Sequence, residues 1–328
     1  MAEKRLPFSK EQLVQIIEQY PTPFHIYDEA AIRANARNLL EAFSWAPGFK
    51  EYFAVKATPN PYILKMLDEE GFGADCSSLA ELILSDRVGI QGEDIMFTSN
   101  DTPVEDFKLA REMGAVINLD DISHIDYLER HAGLPELLSF RYNPGSLRGG
   151  GNAIIGTPED SKYGLTRKQL LDAVRIVREK GVKRLGLRTM IISNELDPGY
   201  FIETARMMFD LALEIYRTLN IRVELVNLGG GIGIPYHPEE EAVDLFYLSR
   251  GIRQAYEEKI VANGLHPVKL AMESGRMITG PYGYLVATAL HEKEIYKNYV
   301  GLDACMADLM RPGLYGAYHH ITVAGKEE

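Results

Sequence analysis

At 328 residues, 46% hydrophobic and 25% charged, the chain has an ordinary globular composition and room for a (β/α)8 barrel plus additional material. A net charge of −12 offers nucleic acid no basic face, and no apolar run reaches membrane-spanning length. The start Met-Ala-Glu-Lys-Arg leads into no signal-type apolar stretch, so the cytoplasm is the expected compartment, and two distant cysteines, Cys76 and Cys305, speak against a disulfide framework and match no metal-ligand spacing.

Residues 1–28 carry a short helix and the strand-like run Pro23-Phe-His-Ile-Tyr27, in which His25 reads as a packing residue. A helical pattern follows at 29–44. Apolar, β-branched runs then recur at 51–56, 72–75, 94–98, 115–118, 138–142, 184–192, 222–228 and 268–272. Between them lie helical patterns at 60–70, 78–88, 103–113, 122–132, 167–180, 199–219 and 241–263. Helix starts are legible in Asn60-Pro61, in Ser77-Ser78 with Glu81, and in Thr102-Pro103 before Glu105 and Asp106, and Glu239–Glu241 reads as a solvated helix start. Such alternation means parallel strands, and eight of them predict a closed α/β barrel of the TIM type over residues 29–280. Residues 281–328 read as Tyr-rich strands at 283–289 and 294–300 and one more near the chain end. Together with residues 1–28 they predict a β-rich module built from both termini, with Tyr282 and Tyr284 as packing groups. His319 and His320, adjacent on a strand, face opposite sides, so no metal is expected there.

In such a barrel the functional groups gather at the C-terminal ends of the strands. Lys56 closes a run of Tyr52, Phe53 and Val55. A lysine that loses solvation there becomes a nucleophile able to form a Schiff base; the plainer alternative is a packed stem with its head in water. After the seventh run, Asn227-Leu-Gly-Gly-Gly-Ile-Gly233 does not match the dinucleotide motif. Its glycines suit close backbone approach to an anion, and the neighbouring Glu273-Ser-Gly-Arg276 adds Gly275 and Arg276, so a phosphate site is the better reading. Glu273 needs a partner; Arg276 is one choice, a protonated ring nitrogen the other. A Schiff-base lysine, a phosphate cradle and a carboxylate for a pyridinium are the contacts that pyridoxal 5′-phosphate requires.

The residues then resemble the fold-type III pyridoxal phosphate decarboxylases, most closely the diaminopimelate decarboxylase family. The matching stretches are Tyr52-Phe-Ala-Val-Lys56-Ala, Gly73-Ala-Asp75-Cys-Ser77, Arg141-Tyr-Asn-Pro-Gly145, Lys162-Tyr163-Gly164, Leu228 to Gly233, Glu273-Ser-Gly-Arg276 and Asp303 to His319, in family order across nearly the whole chain. The resemblance implies that Lys56 bonds the cofactor and that Asp75 and Arg141 line its pocket. Ser193, Gly229, Gly230, Gly231, Gly233, Gly275 and Arg276 would hold the phosphate, and Glu273 would pair with the ring nitrogen. Arg276, Arg311 and Tyr315 would bind the distal end of the amino-acid substrate. It also implies decarboxylation of meso-2,6-diaminopimelate to L-lysine in lysine biosynthesis, by a homodimer with shared active sites.

The chain departs from the family pattern in three places. The family's cofactor-stacking histidine is missing from Gly186-Leu-Arg188-Thr-Met190-Ile-Ile-Ser193, leaving Arg188 to stack as a planar cation or Met190 to pack on the ring. Ser274 stands where the family has proline. A Cys-Glu-x-x-Asp motif and a later tyrosine lie, in the family, beyond this chain's last residue, so the sequence reads as a fragment that stops within its C-terminal β-domain. A related decarboxylase of the ornithine, arginine or carboxynorspermidine type, or a cofactor-binding homologue without turnover, are the alternatives; a racemase is disfavoured by Glu273.

Overall fold

In the computed structural model, which describes residues 6–147, 157 and 159–326, the eight apolar runs pair in parallel and in chain order until the last meets the first. The elements run α1 (Lys10–Gln19), β1 (Phe24–Tyr27), α2 (Glu29–Ala42), β2 (Lys50–Ala54), α3 (Pro61–Glu69), β3 (Gly73–Cys76), α4 (Leu79–Val88) and β4 (Ile95–Ser99). They continue as α5 (Val104–Glu112), β5 (Val116–Leu119), α6 (His124–Ala132), β6 (Leu137–Tyr142), α7 (Arg167–Glu179), β7 (Arg184–Thr189), α8 (Pro198–Leu219), β8 (Leu225–Asn227), α9 (Leu245–Lys259) and β9 (Lys269–Met272). The chain then gives α10 (Arg276–Thr279), β10 (Gly283–Val286), β11 (Ala289–Glu294), β12 (Asn298–Leu302) and α11 (Arg311–Tyr315). Strands β2 to β9 form the barrel, closed where Lys50 and Glu51 pair with Ala271 and Met272.

Why the helices begin where they do is local chemistry. Asn60 accepts from the Tyr62 N–H and Pro61 opens α3; Ser78 caps α4 while Glu81 reaches back to the Ser77 N–H. The apolar faces of these helices and the outward faces of the strands share one large core that includes Phe53, Phe97, Phe107, Phe140 and Phe209.

Inside the barrel the two-residue period of a strand sorts the side chains into layers. Tyr52, Met96, Val116, Leu137, Leu225 and Ala271 form an apolar interior cluster. Two residues further along five of those strands stand Thr98, Asn118, Ser139, Asn227 and Glu273, all buried and all polar. The interior therefore turns from apolar to polar toward the C-terminal strand ends, which is where the charges collect.

Four expectations need correction. Strand β7 ends at Thr189, because residues 190–195 leave the sheet to cover the glycine loop, where the Glu195 N–H donates to the Gly231 carbonyl. Helix α9 starts at Leu245, capped by Asp244; Glu240 is no helix start but accepts from the Tyr236 and His237 N–H groups and closes the loop before it. The run near the chain end forms no strand among the described residues, for it has no neighbour to pair with. His25 is exposed and not buried, though it bonds the Asp308 carbonyl and its ring stacks beside Tyr27.

The two chain ends do meet: β1 pairs antiparallel with β10, Phe24 opposite Val286, and Tyr284 packs edge-on against Phe8. Strands β11 and β12 make a separate exposed hairpin. No helix among the described residues is long and apolar enough to cross a membrane.

Removing the cap of α3, the helix that follows the Lys56 turn, isolates the value of a local signal. Asn60→Ala is expected to lower stability by about 1 kcal/mol, read as a shifted urea midpoint with an unchanged slope.

Candidate active site

Several barrel strands deliver a charged residue to the same end. Strand β2 stops at Ala54, and a single turn, Val55–Ala57, carries Lys56 outward so that its Nζ lies 3.6 Å from Asp75 Oδ2 at the end of β3. The Lys56 side chain is 61% exposed, so the idea that burial activates it does not hold; its partner Asp75 is the buried member, 1% exposed. Burial first, then the charge of Glu273, pushes the Asp75 carboxyl up to about 6, against the pull of Lys56 and Arg188.

On the opposite wall Arg188 of β7 and Glu273 after β9 form a buried ion pair. Arg188 Nε lies 2.8 Å from both Glu273 oxygens, and Nη2 also donates to Oε2. Between them, on β8, Asn227 Nδ2 donates to Glu273 Oε1 at 2.7 Å. Burial pulls the Arg188 guanidinium down, but the charge and hydrogen bonds of Glu273 outweigh it and hold it above its ordinary value. Glu273 thus takes Arg188, not Arg276, as its protein partner. Arg141 of β6 donates to Asp120 at 3.2 Å and to the Met190 carbonyl at 2.9 Å, with Tyr163 under its guanidinium. Burial, with Arg188 close by, lowers Arg141 to about 10.

The glycines pack against protein. A Cβ on Gly229 would stand 2.1 Å from the Thr189 carbonyl oxygen, one on Gly230 2.1 Å from that of Glu273, and one on Gly231 2.5 Å from that of Ile192. Backbone-on-backbone contact therefore demands glycine here, and it fuses the segments after β7, β8 and β9 into one floor. A Cβ on Gly233 would be less tight, 2.9 Å from the Asn194 carbonyl carbon, and one on Gly275 would stand 2.8 Å from Ala57 of the Lys56 turn and 3.0 Å from Ala54 at the end of β2. Met190 is part of that floor, its sulfur accepting from the Gly230 N–H at 3.3 Å.

Above the floor Arg276 donates to Tyr236 Oη at 2.5 Å and faces Ser193 Oγ at 3.5 Å. Arg311 lies 4.6 Å over the same Tyr236 ring and bonds His319 at 3.0 Å. Partial burial, aided by the charge of Arg276 and opposed by Tyr236, holds Arg311 below its ordinary value. Tyr315, at the far end of α11, is exposed. Lys56, Asp75, Arg141, Arg188 and Glu273 are thus brought to one barrel mouth, and Arg276 and Arg311 converge on Tyr236, with Tyr315 close enough to Arg311 to act on its charge.

These residues suit an anionic, ring-bearing cofactor. Asp75 Oδ1 and Arg188 Nη1 are buried with no hydrogen-bond partner among the described residues. Orphaned buried polar atoms cost about 1–3 kcal/mol each unless something satisfies them.

Residues 29–280 match the model of the pyridoxal-dependent decarboxylase family, pyridoxal binding domain. The chain belongs to the pyridoxal-dependent decarboxylases. Its cofactor is pyridoxal phosphate and it is a carboxy-lyase. Protein TabA of Pseudomonas amygdali pv. tabaci is 39% identical over 95% of this chain and 72% of its own length. The diaminopimelate decarboxylase of Methanothermobacter thermautotrophicus is 33% identical over 95% and 73%. The crystal structure of diaminopimelate decarboxylase from M. jannaschii superimposes with a TM-score of 0.85 at 28% identity, covering 94% of this chain and 73% of that one.

Three buried residues of this decarboxylase escaped sequence reasoning. Asp120 and Asn227 carried the same signal as Asp75, a polar residue closing an apolar run. Glu51 sat in plain view at the head of the Lys56 run. It is wholly buried, and it accepts from the Ser274 N–H, a donor that proline at 274 would lack. Burial raises the Glu51 carboxyl well above its ordinary range, the Ser274 bonds oppose the shift, and the charges of Glu273 and Asp75 add to it. With the Ala54 N–H donating to the Ser274 carbonyl at 3.2 Å, this bond clamps the Glu273 loop to the strand that bears Lys56.

A carboxyl whose pKa is raised on folding binds its proton more tightly in the native state. Its stability contribution is complete below the ordinary carboxylate range and is lost as pH rises toward the native value. Glu51→Gln is therefore expected to gain stability relative to the wild type as pH rises from acid to neutral, measured by urea midpoints. Parallel curves for the two proteins would show that Glu51 is ionised in the fold. Gly230→Ala, forced against the Glu273 carbonyl, is expected to cost about 2–3 kcal/mol and to weaken cofactor binding, measured by thermal melts with and without pyridoxal phosphate.

Proposed function

We propose that this decarboxylase removes the α-carboxylate from an amino acid whose distal end is itself anionic, meso-2,6-diaminopimelate, and yields L-lysine and CO2. The observation that carries this reading is the convergence of two guanidinium groups, Arg276 and Arg311, on Tyr236. A guanidinium grips a carboxylate through two parallel hydrogen bonds, and two of them at one rim select for a second acidic group. The name of the relative from M. thermautotrophicus and the Helicobacter pylori diaminopimelate decarboxylase structure solved with L-lysine support it.

In this reading Lys56 supplies the amine that holds the cofactor, and Asp75 is the acid beside it, able to keep or release a proton near neutral pH. Arg141, Ser193, Gly229, Gly230, Gly231, Gly233, Gly275 and Arg276 make the wall and floor for ring and phosphate. Glu273 faces the ring nitrogen, with Arg188 and Met190 where the family places histidine. Bound pyridoxal phosphate supplies the electron-accepting ring that makes loss of the α-carboxylate possible. We further infer a cytoplasmic homodimer in lysine biosynthesis, with the exposed apolar residues of the terminal segment, Leu290, Tyr299, Val300 and Leu314 among them, at the subunit contact.

A decarboxylase for another distal group is the second reading, favoured because the relative at 39% identity bears a name other than diaminopimelate decarboxylase. With pyridoxal phosphate, the chain is expected to release CO2 from meso-diaminopimelate faster than from ornithine, arginine or carboxynorspermidine. It is also expected to show the visible band of lysine-bound cofactor, which Lys56→Ala lacks. Faster release from one of the competitors transfers the assignment to the second reading, and a band with no CO2 from any substrate leaves a cofactor-binding protein. Arg311→Lys, which keeps the charge but loses the fork, is expected to raise KM roughly tenfold with little change in kcat.

A further inference from the structure

The carboxylate that faces the cofactor ring in the reading above is not a lone anion. Glu273 offers two oxygens with about four lone-pair sites. Three side-chain N–H groups already occupy them: Arg188 Nε, shared between both oxygens at 2.8 Å, Arg188 Nη2, and Asn227 Nδ2 at 2.7 Å. The pair is sealed from solvent, Arg188 with 5% of its side chain exposed and Glu273 with 2%, so the two charges cancel where screening is weak. Each oxygen already accepts two of these contacts, so a further donor must share a lone pair, and the net charge behind it is close to zero.

We propose that Arg188 sets the electronic character of the bound cofactor: by neutralising Glu273 it makes the site hold the ring-nitrogen proton of pyridoxal phosphate less tightly than a lone buried carboxylate would. The inference rests on the assignment of Glu273 to the ring nitrogen. The other charged groups around the mouth do not restore a negative field. Lys56 faces Asp75 at 3.6 Å and Arg141 faces Asp120 at 3.2 Å, so these two carboxylates each face a cation of their own. Burial raises the Glu51 carboxyl, which is turned to the Ser274 N–H and accepts from it. Arg188 is thus the group that decides how strong an electron sink the ring becomes, and it occupies the segment where the family has histidine. Its effect is on the chemistry that follows binding, while affinity for the phosphate end depends on other residues.

The test is the 15N resonance of ring-labelled pyridoxal phosphate bound to the full chain, followed from acid to alkaline pH. In the wild type it is expected to move from the pyridinium to the free-base position as pH passes through the neutral range. In Arg188→Leu it is expected to stay at the pyridinium position over the same range, with the visible band of the lysine-bound cofactor retained. A wild-type resonance fixed at the pyridinium position at every pH overturns the proposal, and this measurement needs no variant to fold. Arg188→Lys, which keeps the charge but loses the two-point grip, is expected to titrate between the two. Glu273→Gln separates the two layers: if it leaves the wild-type resonance unmoved, Glu273 does not face the ring nitrogen and the underlying assignment fails. If it shifts the resonance while Arg188→Leu does not, the assignment stands and the role of Arg188 falls.

Discussion

A guanidinium buried in the barrel with nothing opposite would cost several kcal/mol, and Glu273 is what makes Arg188 tolerable. The pair spans three strands: Arg188 lies one residue before the end of β7, Asn227 is its register partner on β8, and Glu273 follows β9 and bonds both. Cutting either charge would leave the other buried and uncompensated, a loss of about 3–5 kcal/mol. The pairs Lys56–Asp75 and Arg141–Asp120 set two further cations opposite two further carboxylates at the mouth, with the Lys56 side chain exposed. Such balance lets a polar layer sit directly on the apolar layer of Tyr52, Met96 and Val116.

The pairing needs strand ends held to a fraction of an ångström, and the glycines supply this by absence. With no Cβ at Gly229, Gly230 and Gly231, the segments after β7 and β9 close onto the β8 loop at distances no side chain permits. Gly275 lets the Glu273 loop press on the Lys56 turn, and Glu51 ties the same loop to β2 through Ser274. The residue proposed to bond the cofactor and the residue proposed to face its ring nitrogen are therefore parts of one rigid seam. Decarboxylation by this family depends on such fixed geometry, since most of what the protein adds to the cofactor is orientation and charge.

Much of this was legible beforehand. All eight barrel strands and the helices between them fall within a few residues of the periodic runs, because alternation and capping are local properties: Asn60 caps α3 and Ser78 caps α4 as their positions imply. The misplacements have local causes too. Residues 190–192 are apolar like a strand yet leave the sheet to cover the glycine loop, and the run near the chain end finds no partner. Glu51 was passed over because a charged residue in an apolar run reads as a surface position until its environment is known.

The sequence by itself determined the barrel, the strand ends at which chemistry could occur, and the family, because a two-residue period, a cap or a motif is written in neighbouring residues. Only the tertiary structure decided who faces whom: Glu273 with Arg188, 85 positions away, in place of the nearby Arg276; Arg276 with Tyr236; Glu51 with Ser274. It also showed that Lys56 is exposed beside a buried Asp75 and is not itself the buried group. The physical reason is that a charge takes the partner closest through space in a low dielectric, and closing the barrel is what sets those distances.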